Sequence, residues 1–310
     1  MDFINSDIYI TKSLFYFGVI FAFLFGITIG SFLNVVIYRL PNGININFPP
    51  SHCPKCKHRL GPLDLFPLFS YLFLGRKCRY CGDPISPRYF TIELITGLLF
   101  VGLFLKFGYS LDCVIFALFA ASLICVFMID FDTYTIPVSL IIFGVALGLC
   151  KDIINIILAG QYAVGGFDPY MHIKIPWTNI SFPMLPSIWG ILICFLIFIA
   201  ITLFGTLLFK REAMGGGDTL LACAIGAVLS SAEYGVWPAV ASFFIAIFVG
   251  AVIGSIEKVI RERRNDENAK EGMIPFGPYM VVGAFVSIFF FELILKGWNW
   301  YYVAFLMPKP

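Results

Sequence analysis

Eight long apolar segments recur along this 310-residue chain and constrain its fold more than any other feature. A stretch of roughly 17–25 apolar residues is long enough to cross a bilayer as a helix. Charged residues make up only 13% of the chain, against about 25% in typical soluble domains. The pattern predicts an all-α polytopic membrane protein with about eight transmembrane helices. The predicted spans are 14–38, 89–107, 112–130, 136–158, 186–209, 217–233, 237–257 and 275–295.

The positive charges predict how these helices are oriented. Most of the 21 lysines and arginines lie in three connections, 39–88, 210–211 and 258–272, which eight spans would place on one side of the membrane. Loops rich in lysine and arginine stay in the cytosol. We therefore expect the three connections to face the cytosol, and both termini and the polar stretch 160–185 to lie outside.

Two pairs of cysteines lie in the first basic connection, Cys53-x-x-Cys56 and Cys78-x-x-Cys81. Two residues between thiolates let a tight turn present both sulfurs to one tetrahedral ion, and the doubled spacing is typical of a structural zinc site. Disulfides are rare in the cytosol. The spacing predicts a small zinc-binding cytosolic insertion. The alternative is two unrelated thiol pairs or a redox pair.

Two aspartates occupy positions where a membrane protein rarely carries charge. Asp130 ends the third predicted span and Asp218 begins the sixth, so the topology brings both to the same face. A carboxylate at membrane depth costs about 2.5–3.5 kcal/mol on insertion scales and marks a functional site. Two facing carboxylates share one proton, and such a pair can activate water and protonate a scissile carbonyl. The pair predicts an aspartic protease dyad.

Three glycines, Gly215, Gly216 and Gly217, precede Asp218. Without side chains, they would let an extended substrate backbone approach the carboxylate. The alternative is an ordinary helix start, where Gly and Asp are both favoured. A further acid, Glu93, lies one turn into the second predicted span and is expected to face inwards towards a polar partner.

Taken together, these residues resemble the bacterial type IV prepilin peptidases, also called prepilin leader peptidase/N-methyltransferases, which are GxGD-type intramembrane aspartyl proteases. One departure from that family is Val138, where an acid or Asn is common. Six matching pieces occur in the family's order: GSFLNVVIYRLP (30–41), the two C-x-x-C pairs, ISPRYFTIELITG (85–97), IDFDTYTIP (129–137), GGGD (215–218) and IPFGPYM (274–280).

The resemblance implies an enzyme of the bacterial inner membrane that serves type IV pili or protein secretion. Such an enzyme removes the leader of prepilins or pseudopilins after a glycine at the cytosolic face, and then methylates the new N-terminus with S-adenosylmethionine. Its partners would be these substrates and membrane lipid, without nucleic acid. The implied site residues are the catalytic Asp130 and Asp218, the zinc ligands Cys53, Cys56, Cys78 and Cys81, and Glu93 as a candidate methyl-transfer or substrate site.

The resemblance also implies a division of the chain. Residues 1–38 would form the first transmembrane helix, 39–88 a cytosolic zinc-binding loop associated with methyl transfer, and 89–310 the transmembrane protease core.

Two other functions fit the same residues. Paired acids can serve an ion- or proton-coupled transporter, which would predict acids near the bilayer centre and inverted repeats. No convincing internal repeat is present, and both acids lie at one face. A non-catalytic assembly factor could use its zinc loop to dock a partner. Replacing each aspartate would separate both alternatives from the protease.

Overall fold

Long apolar helices make up most of the chain. A computed structural model describes residues 2–161, 168–174, 181–210, 214–254, 256 and 275–301. Its elements in chain order are α1 (Asp2–Arg39), α2 (Phe69–Phe73), α3 (Pro87–Phe107), α4 (Leu111–Thr133), α5 (Val138–Gln161), β1 (Met171–Lys174), β2 (Ser181–Met184), α6 (Pro186–Phe209), α7 (Gly216–Leu229), α8 (Trp237–Val249, continued by a π-helix at Gly250–Gly254) and α9 (Gly277–Tyr301).

The helices confirm the predicted all-α membrane fold. Six of them are long and apolar enough to cross a membrane, and two shorter apolar helices, α7 and α8, occupy the other two predicted positions. The stretch 160–185 carries an element that hydropathy did not predict, an antiparallel pairing of β1 with β2. The predicted basic connection 258–272 and Arg211 lie outside the described residues.

The chain divides into two compact units, Met1–Ile129 and Asp130–Pro310. In the first unit, glycines let α1 approach α3 closely. A Cβ atom on Gly26 would lie 2.9 Å from the Cα of Gly97, and one on Gly30 would lie 2.8 Å from the Cα of Glu93. Small residues four apart are a common basis of close packing between membrane helices. This contact places Glu93 directly against α1.

The segment after α1 is held by one buried arginine. The guanidinium of Arg39 donates hydrogen bonds to the carbonyls of Asn45 and Ile46, both at 3.0 Å, and of Pro49 at 2.6 Å. Further along, the ring of Tyr71 on α2 packs against that of Phe90 on α3, with centroids 5.3 Å apart. The loop between α1 and α3 is therefore fastened at its start by Arg39 and further along by the packing of α2 on α3.

In the second unit, α7 lies between α5 and α6 and is almost entirely buried. Glycines again determine how closely the helices approach one another. A Cβ on Gly190 of α6 would lie 2.1 Å from the carbonyl oxygen of Gly226, and one on Gly148 of α5 would lie 2.6 Å from the backbone of Ala227. Because larger side chains would push the helices apart, these glycines determine where α7, and with it Asp218, can lie.

Two adjacent charged residues of α5 fasten the far ends of α6 and α7. Lys151 and Asp152 are only 5% and 2% exposed. The ammonium of Lys151 donates to the carbonyls of Val228 and Ser230 at the end of α7. The carboxylate of Asp152 accepts the N–H and the hydroxyl of Ser187 at the start of α6. A cation at a helix C-terminus and an anion at an N-terminus both match the helix dipole.

Candidate active site and cysteine cluster

Asp130 lies in the last turn of α4 and is held by the start of α9. Its carboxylate is 4% exposed and accepts a hydrogen bond from the N–H of Gly277, N to Oδ2, at 3.0 Å. Gly277 is followed by Pro278, a residue favoured in the first turn of a helix. A Cβ at Gly277 would lie 2.5 Å from that same Oδ2, so only glycine fits the contact. The positive end of the α9 dipole faces a carboxylate.

Asp218 lies in the first turn of α7, within the same unit as Asp130. Gly215 is the N-cap of this helix, and its backbone amide interacts with the Asp218 carboxylate. The two aspartates are close enough for their charges to interact. The structure thus brings together the two carboxylates that the sequence predicts at one face. Since two like charges repel, the arrangement favours a pair that shares one proton.

The three glycines before Asp218 leave space beside it. A Cβ on Gly216 would meet no atom within 4 Å, and one on Gly217 would make only ordinary contacts of 3.5 Å or more with Ile136. None of the three has the positive φ that would itself require glycine. The glycines do lie at the start of α7, as the alternative of an ordinary helix start expected. The space beside Gly216 is nevertheless open, and Gly217 has room for a small side chain.

The four cysteines of the first basic connection form one cluster. Their sulfurs all lie within 4.8 Å of one another, and the sulfurs of Cys53 and Cys81 are 3.9 Å apart. Thiolates around one tetrahedral ion, with metal–sulfur bonds of about 2.3 Å, lie about 3.8 Å apart. His58, two residues after Cys56, stacks on Tyr80. The cluster therefore fits one tetrahedral metal ion with four thiolate ligands.

The cysteines are presented by two knuckles of the same shape. In the first, Cys53 N–H donates to the carbonyl of His58, and Lys57 N–H donates back to Cys53. In the second, Cys78 and Gly82 make the equivalent bonds, with Asp83 in place of His58. Lys57 and Gly82, each just after the second cysteine, both have positive φ values of 58° and 73°. The repeated geometry is what paired metal knuckles require.

Hydrogen bonding and burial shift the pKa values of two of these thiols in opposite directions. Backbone hydrogen bonding from Cys56 lowers the pKa of Cys53 to about 7, although burial opposes this. The backbone amide of Asp83 lowers the pKa of Cys81, but burial and hydrogen bonds to the other thiols outweigh it and raise this pKa to about 12. Four thiols this close cannot all ionise without a cation to neutralise them.

An ion pair beside the cluster stabilises the loop. The guanidinium of Arg79 lies 2.8 Å from the Asp64 carboxylate, which also accepts hydrogen bonds from the N–H of Gly61 and the hydroxyl of Tyr80, both at 3.0 Å. Burial alone would raise the pKa of Asp64, but these three partners outweigh it, and the pKa is lowered. The ionised carboxylate therefore holds together two parts of the loop.

Comparison with known proteins identifies the family. Residues 24–107 match the Bacterial Peptidase A24 N-terminal domain, and residues 117–255 match the Type IV leader peptidase family. A protein of Bacillus subtilis (strain 168), named prepilin leader peptidase/N-methyltransferase, is 30% identical over 274 residues, which cover 88% of this chain and 95% of that protein. The chain belongs to the type IV leader peptidase family. The resemblance predicted from the sequence is confirmed.

Other members of the leader peptidase family match over similar lengths. Proteins of the same name from Stutzerimonas stutzeri and Myxococcus xanthus (strain DK1622) are 29% and 35% identical over 294 and 244 residues. The first match covers 87% of this chain and 90% of the relative. The second covers 77% of this chain but only 64% of the relative, so this chain spans less than two thirds of that longer protein. No solved structure matches the chain.

Two features of this member of the family were not predicted from its sequence. The piece IPFGPYM was noted, but nothing in it showed that the N–H of Gly277 would meet Asp130, 147 residues away. Glu93 belongs to the first unit, is 8% exposed, and accepts the N–H of Leu68 at 2.7 Å. Leu68 has a φ of 62°, which is unfavourable for a leucine, and no sequence signal marks it.

Proposed function

We propose that the protein is an aspartic endopeptidase that removes the leader of type IV prepilins or pseudopilins after a glycine. The observation that carries the proposal is that Asp130, in the last turn of α4, and Asp218, in the first turn of α7, are close enough for their charges to interact. Family membership supports the choice of a leader peptide as substrate. An isolated acid at this depth would be costly. A pair of acids that performs general acid–base catalysis explains why the chain carries both Asp130 and Asp218 there.

In the proposed mechanism, one aspartate is ionised and the other carries a proton. The ionised carboxylate takes a proton from water, and the resulting nucleophile attacks the carbonyl carbon of the scissile peptide. The protonated partner donates to the carbonyl oxygen as negative charge develops there. The tetrahedral intermediate then collapses: the carbon–nitrogen bond breaks, the leaving nitrogen takes the proton that the first aspartate received from water, and the second aspartate recovers its own proton. The N–H of Gly277 holds the Asp130 carboxylate in a fixed orientation. Gly215, Gly216 and Gly217 leave room for the extended substrate backbone beside Asp218.

We further propose that the protein methylates the new N-terminus with S-adenosylmethionine. The relatives are named N-methyltransferases as well as peptidases. The cysteine cluster would hold zinc, which with four thiolate ligands has no open position and is therefore structural. In this proposal 1–38 is the first transmembrane helix, 39–88 is the zinc loop associated with methyl transfer, and 89–310 contains the peptidase core.

The proposed orientation places the zinc loop and the aspartates towards the cytosol, in the bacterial inner membrane. Its basis is the concentration of lysine and arginine in 39–88. A prepilin carries its basic leader on the same side, so the scissile bond would arrive at the depth of Asp130 and Asp218. The substrate system would be type IV pili or protein secretion.

Mass spectrometry of a prepilin incubated with the purified protein and S-adenosylmethionine tests both activities. Wild type should yield a product cut after the leader glycine and carrying one added methyl group. Asp130→Asn and Asp218→Asn should each abolish the cut, because neither half of the pair can be replaced by an amide. Asp132→Asn, on the same helix as Asp130 but exposed, is the matched control and should cut normally.

Each other outcome contradicts a defined part of the proposal. Cleavage by both Asp→Asn variants at the wild-type rate would refute the dyad and favour the transporter or assembly-factor function. A cut product without an added methyl would refute the methyltransferase activity alone. Equal loss in Asp132→Asn would show that the assignment of Asp130 is wrong.

A further inference from the structure

A row of exposed aromatic rings runs along α2 and the residues just before it. Phe66, Phe69 and Phe73, here called the phenylalanine row, are 54%, 38% and 85% exposed, and successive ring centroids lie 5.3 Å and 6.4 Å apart. Their spacing of three and four residues places them on one face of a helix. Leu72, beside them, is also exposed. Because a continuous apolar surface is unfavourable in water, it marks a place where something apolar binds.

Contacts with α3 determine the level at which α2 lies. The N–H of Leu68 donates to the carboxylate of Glu93 at 2.7 Å, and the ring of Tyr71 packs on that of Phe90. The 21 residues of α3 extend about 32 Å at 1.5 Å each, little more than the roughly 30 Å of hydrocarbon in a bilayer. Glu93 lies six residues after Pro87, the first residue of α3, or about 9 Å along the helix axis. The level of α2 is therefore inside the membrane boundary of α3.

The contact between α1 and α3 gives a similar level. A Cβ on Gly30 of α1 would lie 2.8 Å from the Cα of Glu93. Arg39, the last residue of α1, lies nine residues further along, or about 13 Å. Interfacial helices bury their apolar face about 5–10 Å into the boundary between headgroups and acyl chains. The depth of α2 is thus that of an interfacial helix rather than that of a loop in water.

The backbone of α2 has the hydrogen bonds that this depth requires. Lipid offers no partner to an N–H group, so a segment inside the membrane must find its partners within the protein. The N–H groups of Ser70, Leu72 and Leu74 donate to the carbonyls four residues earlier, at 3.0, 3.1 and 3.0 Å. Leu68 is the N-cap of α2, where an N–H has no acceptor within the helix, and its N–H is the one that donates to Glu93. A carboxylate of α3 thus completes the hydrogen bonding of α2.

We propose that the phenylalanine row is inserted into the membrane interface, where its rings contact the acyl chains of phospholipid. The loop 39–88 is then anchored to the bilayer as well as to α1 and α3. Arg76 and Lys77, both exposed, follow the row and extend towards the phosphate groups above it. Cys78 comes next along the chain, so the inserted row also sets the height of the cysteine cluster above the membrane.

Lipid fits this surface better than a segment of a protein partner does. A partner helix is normally received by a hydrophobic groove, whereas Phe73, at 85% exposed, projects from the surface. Fluid acyl chains can surround a projecting ring on all sides. The level of α2 also places the row where lipid, and not water, is the surrounding medium.

Tryptophan fluorescence of the full chain in phospholipid nanodiscs tests the insertion. One set of discs contains phosphatidylcholine brominated in the upper part of its acyl chains, and the other contains the same lipid without bromine, which quenches an indole only on contact. The emission that Phe73→Trp adds to that of wild type should be quenched by the brominated lipid. Arg59→Trp is the matched control, since Arg59 is an exposed charged residue of the same loop outside the row. Its added emission should be the same in both sets of discs.

Photolabelling from the lipid locates the same contact without a new tryptophan. A phospholipid that carries a diazirine in its acyl chain should label wild-type peptides that contain Phe66, Phe69 or Phe73. The double variant Phe66→Ser/Phe73→Ser should lose this labelling, because serine does not favour insertion. Labelling of α1 at Phe17 and Phe21, which are also exposed, is the internal reference and should not change. The melting temperature in detergent should stay near that of wild type, because both substituted side chains are exposed.

Each contrary outcome overturns the inference. Unquenched emission from Phe73→Trp, or a row without label while α1 is labelled, would show that the row lies outside the membrane. Equal quenching of Arg59→Trp, or labelling retained by the double variant, would show that the row is not the inserted element. Excess purified prepilin should leave the quenching unchanged; if it abolishes the quenching, the row is a docking site for a protein. These measurements require no catalysis, so their failure leaves the proposed enzymatic functions untouched.

Discussion

Substitution of Gly277 by alanine tests the contact that orients Asp130. The new Cβ would lie 2.5 Å from Oδ2 and 3.1 Å from Cγ of Asp130. Carbon and oxygen atoms do not approach this closely, so either the carboxylate or the first turn of α9 must move. In both cases the hydrogen bond from the N–H of Gly277 is stretched or lost.

The size of the effect follows from that hydrogen bond. A hydrogen bond to a charged group contributes about 1.5–3 kcal/mol. If the proposed mechanism needs the oriented carboxylate at the transition state, losing the bond raises the barrier by a similar amount, and each ~1.4 kcal/mol is tenfold in rate. Gly277→Ala should therefore lower the kcat of leader cleavage by about 10-fold to 150-fold. KM should change little, because Gly277 acts on Asp130 rather than on the substrate.

The assay is the initial rate of leader removal from a saturating purified prepilin. Gly297→Ala provides the control, since it makes the same change in the same helix at a position where a Cβ meets no atom within 4 Å. It should cleave as wild type does. Wild-type cleavage by Gly277→Ala, with an unchanged melting temperature, would refute the role of this contact in catalysis.

Four further predictions follow from other parts of the structure. Cys78→Ser should lose bound zinc, measured by elemental analysis, and expose 39–88 to added protease, while leader cleavage persists; loss of cleavage would contradict a purely structural metal. Asp152→Ala leaves two buried donors of Ser187 without their acceptor, at a cost of about 3–5 kcal/mol from two hydrogen bonds to a charged group, and should lower the melting temperature on the order of 10 °C; an unchanged melting temperature would show that these hydrogen bonds contribute nothing. The lowered pKa of Asp64 implies stabilisation of the loop that is complete above its unfolded-state pKa of about 4 and lost as the pH falls below it; Asp64→Asn should lack this part of the acid sensitivity in limited proteolysis between about pH 6 and pH 3. Gly217→Val should slow cleavage without altering the fold, and cleavage at the wild-type rate would refute the proposed approach of the substrate backbone.

The helices could be predicted from the sequence because hydropathy is a local property. Most apolar segments are long enough to predict a transmembrane helix on their own. Asp130 and Asp218 stand out because each lies where such a segment ends or begins. The cysteine cluster was predictable for a similar reason, since two residues between thiols already determine a knuckle. In each case the decisive information lies within a short stretch of chain.

Contacts between distant parts of the chain could not be predicted in this way. Gly277 resembles any helix start until it is placed beside Asp130. Lys151 and Asp152 lie inside a predicted span, and nothing in the sequence reveals that their partners are the last carbonyls of α7 and Ser187 at the start of α6. The positive φ of Leu68 likewise accompanies a hydrogen bond to Glu93, 25 residues away, and is not a preference of leucine itself.

The shortness of α7 has a consequence for how a substrate must be shaped. Its 14 residues extend about 21 Å at 1.5 Å each, less than the roughly 30 Å of hydrocarbon in a bilayer. A substrate segment that crosses the hydrocarbon is itself helical, because lipid offers its backbone no hydrogen-bond partners, so in the proposed peptidase it has to unwind to bring an extended scissile bond to Asp218. Each residue that changes from helix to extended chain lengthens its reach by about 1.8 Å. In the proposed peptidase, selection among pilins would thus depend on how easily the first turn of the substrate unwinds, and a glycine at the cut makes that unwinding less costly by about 1 kcal/mol relative to alanine.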